Sequence, residues 1–175
     1  MLAETITTER LDLLPLQVEH AAEMAAVLGD PALHTFIGGT PETPEGLLAR
    51  YERLVAGPSD PTVSWLNWVV SLRAEGRLTG YVQATVSPDA LGSAADIAWV
   101  IGTSWQGRGI ATEAARGLVG WLDDTWISSS PTSTPTTPRP RRSPPPVVWH
   151  RPRTWWRVRS GGAAPWLAPR PMPDH

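Results

Sequence analysis

The 175-residue chain has no cysteine, which excludes a disulfide framework and any thiolate metal site. That absence fits a reducing cytoplasm, and no metal is expected. Lysine is absent too, so all 15 basic residues are arginine. No apolar run approaches the roughly 20 residues that span a bilayer. The opening MLAETITTER lacks a basic n-region and an apolar h-region. The sequence therefore predicts neither a signal peptide nor a membrane partner.

What is present is unevenly divided. Residues 1–127 hold 7 Arg against 16 Asp and Glu, a net of −9; residues 128–175 hold 8 Arg against 1 Asp, a net of +7. Of 19 prolines, 12 follow residue 127. The two parts are read separately. Hydrophobic content of 41% suffices for a core, and the length suggests one domain.

In the first part, residues 5–16 alternate as a strand, with Leu11 and Leu13 facing one way and Pro15 closing it. Residues 18–28 read as a helix stopped by Gly29 and Pro31. A second helix runs from Pro44 to about Val55, capped by Thr43. Residues 65–73 and 78–86 form a hairpin around Ala74-Glu75-Gly76, and residues 95–101 make the next strand. From about Ile110 the chain is helical, with Ala114, Ala115, Leu118, Val119 and Leu122 at helical spacing. After Ile127 the pattern stops: residues 128–146 contain only Ser, Pro, Thr and Arg. Proline at this density argues against helix and central strand, and the tail reads as disordered.

The chemistry lies in Gln106-Gly107-Arg108-Gly109-Ile110-Ala111, between a strand and a helix. The first amides of a helix lack partners and its macrodipole favours anions. Glycines let a phosphate approach the backbone, so the segment reads either as a pyrophosphate cradle or as a tight corner. It is neither a Walker loop nor a dinucleotide fingerprint.

The segment resembles motif A of the GNAT superfamily, Q/R-x-x-G-x-G/A, as Gln106-x-x-Gly109-x-Ala111. The flanks Ala95-Asp-Ile-Ala-Trp-Val-Ile-Gly and Trp105-Gln-Gly-Arg-Gly-Ile-Ala-Thr-Glu-Ala look like its RimJ/RimL-like branch, as does Thr8-Glu-Arg-Leu-Asp-Leu. Leu14 stands where that branch often has Arg. The resemblance covers about residues 5–126. It implies an α/β (α+β) fold, a mixed, mostly antiparallel sheet with flanking helices that lacks the usual C-terminal strands. Residues 1–127 would be an incomplete acetyl-CoA-binding domain. Trp99, Val100 and Ile101 would pair with the pantetheine arm. Gln106, Gly107, Arg108, Gly109, Ile110, Ala111 and Thr112 would take the pyrophosphate. A main-chain N–H near Val100 or Ile101 would polarise the thioester carbonyl.

The implied reaction is direct attack by an amine, from a protein N-terminus or a small molecule, on acetyl-CoA. Asp96, sharing a strand face with Ala98 and Val100, is the candidate base; a solvent-facing role is the alternative. Glu113 reads as a first-turn stabiliser. His34 reads as a loop residue near the acceptor region, as does Phe36. Trp65, Trp68 and Trp99 read as core or pocket wall, Tyr51 as helix surface and Tyr81 as packing. A homodimer is left open.

The family's later elements have no counterpart after Ile127, and residues 128–175 contain neither Asn nor Tyr. The tail's composition suggests translation of high-GC DNA out of frame. In the shifted frame, residues 133–143 permit Val-His-Pro-Asp-Asn-Ala-Ala-Ser-Ala-Ala-Val, which resembles the family's pattern. A catalytically impaired remnant is therefore the alternative to an enzyme. Nucleic-acid binding by the tail is not expected, because its charge is diffuse.

Overall fold

The computed structural model describes residues 1–89, 92–128 and 156–159. A two-residue strand β1 (Ile6–Thr7) and β2 (Leu11–Pro15) form a hairpin where the sequence predicts one strand over 5–16. The turn carries no Gly or Pro signal; Thr8 makes it. Its backbone N–H donates to Leu11 O at 2.9 Å, and its Oγ1 accepts from Leu11 N at 3.1 Å. Arg73 then donates to the carbonyls of Thr8, Glu9 and Leu11 and to Asp12, clamping the turn.

A short 3₁₀ turn, Val18–His20, leads into α1 (Ala21–Leu28). The next helix, α2 (Pro31–Ile37), was not expected. Asp30 caps it by accepting from Ala32 N at 2.9 Å, with Pro31 in the first turn. Proline here stops one helix and starts another. Helix α3 (Pro44–Ala56) begins as the sequence predicts: Thr43 Oγ1 accepts from Gly46 N at 3.1 Å. Strands β3 (Ser64–Leu72), β4 (Arg77–Asp89) and β5 (Gly92–Ile101) follow, then α4 (Ile110–Ser128).

A last strand, β6 (Trp156–Arg159), corrects the expectation that no strand lies beyond residue 127. It pairs antiparallel with Ala94–Ile97 of β5. The local sequence Trp-Arg-Val-Arg alternates, and four proline-free residues are enough for an edge strand. The rest of the tail, including the segment read as disordered, lies outside the described residues.

The sheet has the order β1-β2-β3-β4-β5-β6, antiparallel throughout. One face carries Leu11, Leu13, Leu66, Trp68, Val70 and Val82, covered by Ile110, Ala114, Leu118 and Leu122 of α4. Trp68 is fully buried, donates Nε1–H to Glu4 O at 2.7 Å, and meets Trp121 edge-on at 5.4 Å. The other face carries Val69 and Leu78 under α1 and α3, through Met24, Val27, Leu47 and Tyr51. Each fully buried leucine contributes about 1.5–3 kcal/mol of transfer free energy. Trp65, expected in the core or a pocket wall, is 42% exposed. Tyr51, expected on a helix surface, is buried at 3% exposure. The helical period of α3 puts Tyr51 four residues from Leu47, on the stripe that faces the sheet.

Candidate active site

The strand-to-helix junction is built from the end of β5 forward. Gly102 N–H donates to Thr79 O at 2.9 Å, holding the chain against β4 as it leaves the sheet. A 3₁₀ turn, Thr103–Trp105, reverses it. The Gln106 side chain donates Nε2–H back to Ile101 O at 2.9 Å, pinning the loop to the strand end. Gly107 and Gly109 have φ of +75° and +78°, left-handed conformations that cost other L-residues about 1–2 kcal/mol. Side-chain space at Gly107 is open to 4 Å.

Helix α4 starts with the bond from Glu113 N to Gly109 O at 3.1 Å. The amides of Ile110, Ala111 and Thr112 thus have no intrahelical acceptor. Among the described residues, those of Gly107, Arg108 and Gly109 have no backbone acceptor either. Main-chain donors without backbone acceptors thus follow one another into the positive end of a 19-residue helix, an arrangement that favours an anion.

The predicted cradle residues divide by role. Gln106 acts on the strand end rather than toward the cradle. Arg108 pairs with Glu75 on the β3–β4 turn, Nη2 to Oε1 at 2.6 Å, and Trp105 Nε1 reaches the other Glu75 oxygen at 3.4 Å. The hydrogen bonds from Arg108 and Trp105 hold the Glu75 carboxyl below its ordinary range.

Sequence reasoning gave Glu113 a first-turn role but missed its partners. Its Oε1 accepts from Thr8 Oγ1 at 2.6 Å and Arg10 N at 2.7 Å; Oε2 accepts from Arg10 Nε at 2.7 Å. Burial works to raise this carboxyl, but the Thr8 and Arg10 hydrogen bonds outweigh it and hold it low. Arg10 also donates to Arg108 O at 3.1 Å. The β1–β2 turn is thereby latched to the loop before α4, and Glu113's charge is countered there by Arg10. No local signal announces contacts spanning about a hundred residues.

On the α1/α3 face, rows across the sheet read Trp65–Thr85–Asp96, Asn67–Gln83–Ala98 and Val69–Tyr81–Val100. Asp96 shares a face with Ala98 and Val100, as expected, and is half-buried. At about 3.4 Å rise per residue it lies roughly 13 Å along β5 from Val100, beyond direct proton transfer. Trp99 is partly buried against the α4-side core. Two adjoining shallow hollows, with interior space of only ≈ 10 and ≈ 30 Å³, lie between α1, α3 and the Tyr81–Gln83 stretch of β4. His34, expected in a loop, sits on α2 and lines one of them. Its ring nitrogens lie 3.0 Å from Leu28 O and 3.4 Å from Gly38 O, bracing the α1–α2 corner. The Phe36 side chain lies outside the described residues.

The fold is a mixed α/β domain in which a glycine loop and the N-terminus of α4 follow directly on the end of an antiparallel strand. A family model described as an acetyltransferase (GNAT) domain matches residues 10–143, most of the chain. The chain belongs to the GNAT acetyltransferase family, whose members are acyltransferase enzymes and generally use acetyl-CoA. Solved structures agree in fold. A GNAT-family acetyltransferase from Bacillus anthracis aligns with a TM-score of 0.57 and 18% identity, over 71% of this chain and 69% of its own. An acetyltransferase from Agrobacterium tumefaciens aligns at 0.50 and 25% over the same shares. A provisionally named ribosomal-protein-serine acetyltransferase from Vibrio cholerae aligns at 0.55 and 17%, also over 71% and 69%. A search of curated proteins found no match. Among the described residues, no helix is long and apolar enough to cross a membrane.

Proposed function

We propose that this chain transfers the acetyl group of acetyl-CoA to a primary amine, on a protein N-terminus or a small molecule, by direct attack. The observation carrying this reading is the cradle. Left-handed Gly107 and Gly109 lead into the N-terminus of α4, and the amides of residues 107–112 have no backbone acceptor among the described residues. The residues fit the donor: main-chain N–H groups suit a pyrophosphate, and side-chain space at Gly107 is open. Acetyl-CoA supplies an acyl group already activated as a thioester.

Trp99, Val100 and Ile101 are the strand end against which the pantetheine arm would lie. A main-chain N–H near Val100 or Ile101 serves as the oxyanion-type donor. Asp96 is the candidate base; given its distance, a proton would have to reach it by a water relay past Thr85 and Gln83, which follow one another along β4 on the same face. The branch reading rests on Thr8-Glu-Arg-Leu-Asp-Leu and the Ala95–Gly102 flank, and with it goes a cytoplasmic location.

The second reading is a remnant that binds acetyl-CoA weakly or not at all. It rests on the tail, which offers no Asn or Tyr for the family's late helix. The out-of-frame origin of that tail belongs to this reading, and sequencing the gene through both frames tests it. A thermal melt with and without acetyl-CoA separates the readings of function, because a ligand binding only the folded state raises the midpoint. A raised midpoint with thiol release in the presence of an amine supports the enzyme. A midpoint indifferent to acetyl-CoA ends that reading.

A further inference from the structure

Two arginines stand at the loop before α4, and they act differently. Arg108 belongs to the loop, but its side chain leaves it for Glu75 on the β3–β4 turn, at 2.6 Å. Arg10 comes from the β1–β2 turn, 98 positions away in sequence, and holds the loop backbone: its Nη1–H donates to Arg108 O at 3.1 Å. Its Nε–H donates to Glu113 Oε2 at 2.7 Å, which fixes the guanidinium. Its Nη2 stands so close to the loop that a Cβ on Gly109 would lie 3.4 Å from it.

The Arg108–Gly109 peptide bond is trans. Its N–H therefore points opposite to its C=O, and the two move as one plane. Holding Arg108 O aims the Gly109 N–H away from Arg10. Gly109 is the residue type least able to fix that plane by its own sterics. A charged donor on the carbonyl oxygen also polarises the peptide group, which strengthens its N–H as a donor. The next plane is fixed in the same way: Gly109 O accepts from Glu113 N at 3.1 Å, which aims the Ile110 N–H. Glu113 thus orients two successive amides, one through its own backbone and one through Arg10.

We propose that Arg10 is a positioning residue for the glycine loop. It acts from the carbonyl side, through the Arg108–Gly109 peptide, to aim and polarise the Gly109 N–H. The inference rests on the proposed binding of acetyl-CoA at this loop, and it deepens that reading by naming what keeps one of the loop's donors directed.

The test compares the full chain with Arg10→Met, Arg10→Lys and Arg73→Met. Acetyl-CoA and inorganic pyrophosphate are titrated by calorimetry, and the Gly109 amide proton is followed by NMR without ligand. Arg10→Met loses only a half-exposed ion pair and one bond to a carbonyl, so the fold is retained. Arg10→Lys keeps a charged donor. Arg73→Met loosens the same turn, since Arg73 donates to the carbonyls of Thr8, Glu9 and Leu11, but it leaves the Arg10 bond to the loop in place. Arg10→Met should weaken both probes about tenfold, and Arg10→Lys should restore affinity to within about threefold. Arg73→Met should lower the melting midpoint and leave both Kd values in place. The Gly109 proton should move upfield in Arg10→Met and most of the way back in Arg10→Lys. An unchanged Kd or an unmoved Gly109 proton in Arg10→Met overturns the inference. So does an equal loss of affinity in Arg73→Met, which would assign the effect to the turn as a whole. If the full chain binds neither probe, the acetyl-CoA reading fails separately. The Gly109 signal then decides alone: it must move in Arg10→Met and return in Arg10→Lys, and any other pattern overturns the assignment.

Discussion

Replacing Glu113 by alanine tests whether the latch holds the β1–β2 turn to the cradle. The carboxylate accepts three hydrogen bonds of 2.6–2.7 Å from Thr8 and Arg10. Its side chain is 17% exposed, that of Arg10 46%. The ion pair is thus half in water and contributes less than about 1 kcal/mol. The bonds from Thr8 Oγ1 and Arg10 N are better shielded and contribute about 1 kcal/mol each. Glu113→Ala should cost about 2–3 kcal/mol, and Arg10→Ala, which keeps the backbone bond, less than half of that. With a urea m-value of roughly 2 kcal/mol/M, the Glu113→Ala midpoint falls by about 1–1.5 M. The pH dependence has a definite sign. The folded carboxyl is held below its ordinary value, so its stabilisation is complete above the unfolded value of about 4.3 and is lost as pH falls through the folded one. The gap between parent and variant should be widest at pH 7 and close in acid. A loss under about 0.5 kcal/mol at pH 7, or an equal gap at pH 7 and in acid, would refute the reasoning.

Two further outcomes concern the cradle and the proton path. Gly109→Ala places a Cβ at φ +78°, 3.4 Å from Arg10 Nη2, and about 1–2 kcal/mol of backbone strain opens the turn. Acetyl-CoA affinity measured by calorimetric titration should fall about tenfold, and an unchanged Kd would remove the cradle from the argument. Asp96→Asn should lower kcat about tenfold while leaving the KM for acetyl-CoA in place. An unaltered kcat would assign Asp96 to the sheet surface alone.

Much of this fold is written in local pattern. The antiparallel run β3–β4–β5 follows from alternating apolar residues around Ala74-Glu75-Gly76, and α4 from a four-residue stripe beginning at Ile110. Glycines 107 and 109 mark the cradle because only their type is at ease at positive φ. The misses share a physical cause. Tyr51 looks like a surface residue beside Arg50 and Glu52, yet helix phase and the sheet beneath decide its burial. The Thr8 turn has no glycine to announce it, and at Asp30 the neighbouring Gly29 and Pro31 read as a stop while the side-chain oxygen starts a new helix. The Arg10–Glu113 and Arg108–Glu75 contacts join residues 103 and 33 positions apart. Nothing in a linear reading brings these together; the sheet register does.

The tail shows the same dependence on register. Trp156–Arg159 sits among prolines and arginines, and four residues of strand pattern count for little in isolation. Laid beside β5, they matter, because an open edge strand otherwise exposes unpaired backbone to other chains. The pairing covers Ala94–Ile97 and stops. Upstream, β5 is held on both sides. Among the described residues, Val100 and Ile101 keep strand partners only in Tyr81 and Gly80 of β4. Among the described residues, the half of β5 that runs into the glycine loop is therefore paired on one side alone. The Gln106 bond to Ile101 O fixes its last residue. A ligand seated on the α4 amides would find the strand end beside it already positioned by Gln106 on one side and by β4 on the other.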